Sequence, residues 1–159
     1  MGMAIFANLS NDIFPRTAVF ILGLCGFFVA RHIYKHKKPD QGPLVCPMNL
    51  NCEAVVHSDY SKMFGIPLEI WGMIYYGFVS ACYFFLIFMP EFLPPLLIAL
   101  VMLASLGAFL LSLYLVGLQL FVIKEGCFWC FVSAIISISI FIVNIYAYDV
   151  VRMVRIFFH

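Results

Sequence analysis

Charge is scarce in this chain. Charged side chains make up 11% of its residues, against about 25% in a soluble domain. So little polar surface excludes an ordinary water-soluble fold. The net charge of +1 and the want of a long Lys/Arg tract exclude bulk electrostatic attraction to nucleic acid. No small-residue cleavage site follows the first apolar run, which argues against a removed signal peptide. No low-complexity tract and no repeat of one apolar segment by another is present. What is abundant is hydrophobic side chains, 65% of 159 residues, and the hydrocarbon core of a bilayer is the solvent that suits them.

The gaps between charges locate the membrane spans. Ile70 to Pro90, Phe92 to Ile123 and Gly126 to Tyr148 are uncharged, and each reaches the roughly 20 residues a helix needs to cross hydrocarbon. Thr17 to Ala30 is shorter, but Arg16 and Arg31 at its ends can snorkel toward headgroups. Pro15 suits a first helical turn, with Asn11 or Asp12 before it as a cap. Pro94 and Pro95 mark the start of a long, tilted third helix. The expected fold is an all-α membrane protein, a four-transmembrane-helix bundle forming one integral membrane domain over residues 1–159. Its spans fall at about 14–34, 66–89, 94–123 and 126–148.

Residues 35–64 break this pattern. They hold seven of the seventeen charges and the turn formers Pro39, Gly42 and Pro43. They read as an extramembrane cap between spans one and two, with Ser58 capping a short helix through Met63 and Gly65 stopping it.

Six cysteines sort by location. Cys25 and Cys82 lie inside spans and read as small hydrophobes. Cys46 and Cys52 lie in the cap, and Cys127 and Cys130 open the fourth span as Cys-Phe-Trp-Cys. The loops after spans one and three emerge on the same side of a four-span bundle, so all four thiols share one face. A Cys-x-x-Cys at a helix start puts its first sulfur near unpaired backbone N–H groups and the positive end of the helix dipole, which favour thiolate. Thiolate is the attacking species in disulfide exchange. Two pairs on one face suggest a relay. A structural zinc site and two static disulfides are the other readings. Zinc fits Cys127 and Cys130, but five residues part Cys46 from Cys52, beyond the usual two to four.

Together the motifs Cys46-x5-Cys52, Ser58, Gly65-Ile-Pro-Leu-Glu-Ile-Trp-Gly72 and Glu125-Gly-Cys-Phe-Trp-Cys130 resemble the vitamin K epoxide reductase (VKOR) family, in its bacterial type. The likeness runs from the first span to the fourth. The disulfide bond protein B type places its Cys-x-x-Cys in the first loop instead, the reverse of the order here. The VKOR resemblance implies a membrane thiol–disulfide oxidoreductase with a four-helix bundle around a quinone of the ubiquinone or menaquinone type. It implies that Cys130 faces the quinone, Cys127 exchanges with Cys52, and Cys46 meets the outside partner. That partner would be a separate thioredoxin-like protein, because the chain ends eleven residues after Tyr148, with no fused thioredoxin-like domain.

In animal members an Asn and a Tyr bond the ligand; the matching positions here are Leu68 and Ala134, which favours plain quinone reduction over epoxide chemistry. Ser58, Trp71 and Trp129 are the expected quinone-pocket residues, with Tyr75, Tyr76 and Phe128 as further aromatic candidates. Aromatics near span ends also serve as interface anchors. Glu69 could carry protons or sit among headgroups, and His57 could assist thiolate formation or be solvated.

Orientation divides two arguments. The cysteine face carries Arg31, Lys35, Lys37, Lys38, Lys62 and Lys124, against Arg16, Arg152 and Arg155 opposite, which by charge puts the cysteines in the cytosol. Disulfide chemistry instead needs an oxidising compartment. The expectation follows chemistry: a multi-pass cell-membrane protein with its thiols on the periplasmic, extracytoplasmic face.

Overall fold

The structure, a computed structural model, describes residues 2–89 and 94–148. Five helices account for most of it: α1 (Gly2–His36), α2 (Cys52–Val56), α3 (Leu68–Phe88), α4 (Pro95–Leu118) and α5 (Phe128–Tyr148). Four segments are long and apolar enough to cross a membrane: Ile13–His36, Leu68–Phe88, Leu96–Ile123 and Phe128–Tyr146. The fold is therefore an all-helical membrane bundle with a small cap. Arg152 and Arg155 lie outside the described residues.

Pro15 does not start α1; it lies inside the helix, with Asn11 and Asp12 ahead of it in the same helix. Proline removes one i→i−4 bond, a loss that a long membrane helix absorbs more readily than a short soluble one. At α4, Pro94 holds the N-cap position and Pro95 the first turn, where a missing N–H costs nothing. At its C-terminal end the helix loosens into one π turn over Gln119–Ile123 and stops at Lys124, which takes a left-handed φ of 55°.

α1 packs on α3 and α5, and α4 packs on α5. The shared core includes Val19, Ala30, Tyr76, Val79, Tyr83 and Ile140. Gly23 and Gly26 permit the close approach: a Cβ at Gly23 would collide with Ser80, and one at Gly26 with the Tyr76 ring. Small residues at such crossings are how membrane helices pack closely without a hydrophobic drive between them. Tyr76 then spans to α5, where its hydroxyl bonds the Ser133 carbonyl oxygen and the Ser137 hydroxyl, each at 2.8 Å. Lower down, the Tyr83 hydroxyl donates to Asn144, whose amide donates to Ser105 at 2.8 Å, tying α3, α5 and α4 together. Such interhelical bonds average about 0.6 kcal/mol each in membranes. α3 and α4 touch only sparingly, which leaves a cleft between them.

The cap departs from expectation. Its main helix is α2, ahead of the predicted one, with Asn51 as the cap: the Ala54 N–H donates to Asn51 Oδ1 at 3.3 Å, while the predicted helix is a single 3-10 turn, Asp59–Ser61, with Ser58 at its N-cap position. Ser58 does not cap with its side chain; its hydroxyl donates back to the Val55 carbonyl at 2.7 Å. Residues Lys62–Met63 and Ile66–Pro67 form a tiny antiparallel hairpin, β1 and β2, rather than a helix end. Gly65 (φ 78°) and Phe64 (φ 55°) make its turn. Burial explains the shift. Cys52, Val55 and Val56 give α2 an apolar face to lay on the bundle, whereas Asp59–Met63 offers no such stripe.

Candidate functional site

Three of the four expected thiols converge where the cap meets the bundle. Cys46 and Cys52 are joined as a disulfide. The Cys46, Cys52 and Cys127 sulfurs all lie within 4.8 Å of one another. Cys52 and Cys127 are buried, wrapped by Ile33, Leu44, Val55 and Val56, while Cys46 is half-buried at the rim. Gly126 makes the approach possible, since a Cβ there would stand 2.9 Å from the Leu50 side chain of the cap. Cys25 and Cys82 take no part: both are free thiols within spans, Cys25 exposed and Cys82 buried.

Cys127 immediately precedes α5 and acts as its cap, its sulfur accepting from the Cys130 N–H at 3.4 Å. Hydrogen bonding from the Cys130 side chain, helped by the backbone N–H groups of Cys130 and Trp129, holds the Cys127 thiol below the ordinary thiol range and outweighs the opposing effect of burial. A thiol primed in this way beside a disulfide is poised for exchange. The Cys127 N–H itself donates to Gln119 Oε1 at 3.3 Å. Gln119 is buried on the π turn of α4, a distortion that often accompanies functional sites.

Besides contacting Cys127, Cys130 lines a cavity of about 120 Å³ that Ser58, Glu69, Gln119 and Ser133 also line. A second cavity of about 230 Å³ adjoins it, lined by Trp71, Tyr75, Tyr76 and Ser137. Leu68, Gly72, Ser112, Leu115 and Ser133 line both, so the two cavities lie side by side between Cys130 and the α3–α4 cleft. Leu68 and Ala134, the positions matched to the animal family's ligand-bonding pair, both line the first cavity.

A family model described as the vitamin K epoxide reductase family matches residues 17–145. The chain belongs to the vitamin K epoxide reductase family. Among curated proteins none matches it. Membership makes it a membrane thiol oxidoreductase of the VKOR type, and the matched stretch includes Cys46, Cys52, Cys127 and Cys130.

The structure distributes the expected VKOR pocket residues unevenly. Ser58 lines the first cavity and Trp71 the second. Trp129 lines neither. Its indole N–H donates to the Val45 carbonyl at 3.3 Å and its ring lies 4.5 Å from that of His32, so it holds the cap loop beside Cys46. Trp129 and Cys130 are adjacent on α5 and point about 100° apart around the helix, and of the two Cys130 is the one that lines the cavity. Phe128 packs with the thiol cluster instead.

Glu69 lies at the first turn of α3, next to the start of the second span. It is buried at the cavity wall and paired with Lys37 at 3.2 Å, and Lys37 also donates to Ser61 at 3.1 Å. Gln119, Asn51 and the pairing of Glu69 with Lys37 were not legible in the sequence. The one available signal was Gln119 itself, the one amide side chain in the apolar run Phe92–Ile123.

The three clustered sulfurs have a spacing that a soft metal could use. With Cys46 and Cys52 joined, only Cys127 among them remains a free thiol, and a structural zinc site needs four donors.

Proposed function

We propose that the chain oxidises a reduced thioredoxin-like partner and delivers its electrons to a membrane quinone. The observation that carries this reading is that one helix start presents two thiols to two destinations. Cys127 meets the Cys46–Cys52 disulfide, and Cys130 lines the first cavity. A quinone head suits the first cavity, where aliphatic walls such as Ile33, Val55 and Leu115 carry polar groups including Glu69 and Gln119, and an isoprenoid tail suits the second and the cleft beyond it.

A bound quinone supplies a two-electron, two-proton acceptor. The chain does the rest by disulfide exchange. A partner thiolate attacks Cys46, the partner's second thiol releases itself as a disulfide, and Cys46 and Cys52 are left reduced. Cys52 then attacks an oxidised Cys127–Cys130 pair at Cys127, freeing Cys130. Cys46 resolves the Cys52–Cys127 bond, leaving Cys127 and Cys130 reduced. A disulfide at Cys46–Cys52 with free Cys127 and Cys130 corresponds to this last stage. Closing the Cys127–Cys130 disulfide releases two electrons toward the cavity and two protons, so the cycle balances.

The test uses purified protein with a reduced thioredoxin-like protein and a short-tail benzoquinone, followed by loss of quinone absorbance. Quinone loss equal to partner thiols oxidised, at one quinone per two thiols, is the expected result. Partner oxidation with no quinol, or four-thiol metal content in the isolated protein, would instead favour a non-enzymatic cysteine site.

The cysteine end is expected to face the extracytoplasmic side. A membrane-impermeant thiol reagent applied to intact cells after mild reduction should label Cys46, which is half-buried at the rim. Labelling that appears only after lysis would place the site in the cytosol, as the lysine and arginine count suggests.

A further inference from the structure

The first cavity contains one carboxylate among its described lining residues, Glu69. Its side chain is 8% exposed and its partner Lys37 12%. A buried ion pair is weak evidence for stability, because removing two charges from water costs several kcal/mol before attraction offsets it. A buried ionisable group at the wall of a cavity in a membrane bundle marks a candidate proton or substrate path. Here the carboxylate also has a specific neighbour: Cys130 lines the same cavity as Glu69. Lys37 lies at the end of α1 and does not line the cavity, while Glu69, at the first turn of α3, does. Lys37 therefore anchors the carboxylate from behind and leaves it presented to the cavity.

We propose that Glu69 carries the Cys130 proton to the quinone oxygen. The proposal rests on the quinone reading above. As Cys127 thiolate closes onto Cys130, the Cys130 S–H bond breaks and its proton passes to the Glu69 carboxylate. The two electrons of the dithiol leave with the forming S–S bond toward the acceptor. Glu69 then gives that proton to the nearer acceptor oxygen and returns to carboxylate, ready for the next cycle. The Cys127 proton was lost to water when its thiolate formed, and water supplies the second proton. The sum is two thiols and one quinone giving one disulfide and one quinol. Lys37 is a positioning residue: it keeps the carboxylate oriented, and with Ser61 it ties that orientation to the cap.

The experiment separates proton transfer from packing and from charge. Glu69→Gln and Glu69→Asp proteins are fully reduced and mixed with a short-tail benzoquinone in a single turnover. In parallel, the same proteins without quinone are alkylated at Cys130 by a neutral maleimide. Glu69→Gln should form quinol about 100-fold more slowly, the scale of a lost general acid–base. Its Cys130 alkylation should be as fast as wild type or faster, because removing a negative charge favours a neighbouring thiolate. Glu69→Asp, which keeps the acid on a shorter arm, should recover at least about tenfold of the loss. Quinol formation at the wild-type rate in Glu69→Gln would overturn the proposal. So would identical behaviour of Gln and Asp, or alkylation falling in step with quinol formation, which would mean that Cys130 had moved. If the reduced wild-type protein fails to form quinol, the quinone reading itself fails, before either variant is compared.

Discussion

Cys130→Ser should reduce quinone turnover to background while leaving thermal unfolding close to wild type. Cys130 is the one cysteine that lines the first cavity, and no other described thiol can take its place facing an acceptor there. The swap of sulfur for oxygen removes little volume, and a hydroxyl can still donate to the Cys127 sulfur as the thiol does. The contacts that hold the bundle, Tyr76 against Gly26 and its bonds to Ser133 and Ser137, lie elsewhere. The measurement is quinone absorbance with a reduced thioredoxin-like partner, alongside a melting curve. The Cys46–Cys52 pair should still accept electrons once from the partner, because that exchange does not use Cys130. Wild-type turnover in the variant would remove Cys130 from the path.

Replacing Cys46 and Cys130 together with serine should trap a Cys52–Cys127 disulfide nearly quantitatively under mild oxidation. Each replacement removes the competitor that would resolve that bond: Cys46 from Cys52 and Cys130 from Cys127. The two remaining sulfurs lie within 4.8 Å of each other and both residues are buried, so external thiols are slow to intervene. Disulfide formation needs close, well-directed Cβ positions, and the cap here is held against the start of α5 by Leu50 on Gly126 and by the Trp129–Val45 bond. A peptide map by mass spectrometry should show the cross-linked pair. Two free thiols after oxidation would mean that the cap does not bring Cys52 to the fourth span, and the relay would lose its middle step.

Gln119 shows why parts of the site were hidden in the sequence. It is separated from Cys127 by eight residues, yet what places its amide on the Cys127 N–H is the π turn, and nothing in the surrounding apolar run announces a turn of that kind. The Lys37–Glu69 pair spans 32 residues and two helices. Sequence spacing relates residues on one helix face but is silent about which ends of different helices meet. Trp129 illustrates the converse: it is an aromatic suited to the pocket role expected of it, but local geometry made it latch the cap loop. Ser58 lines the first cavity while its hydroxyl bonds back to the Val55 carbonyl.

The sequence by itself determined the class of protein. Apolar runs bounded by charges can only be satisfied as membrane helices, since every backbone group must find its partner within the segment. Four such helices force the loops after the first and third to one side, which brings the two cysteine pairs to the same end of the bundle by parity alone. Tertiary packing decided everything that depends on direction. It set which thiol meets the cap disulfide and which meets the cavity, it left the cleft between α3 and α4, and it buried Glu69 at the cavity wall. Those outcomes rest on side chains crossing from one helix to another, where the angle around each helix axis matters and residue order along the chain does not record it.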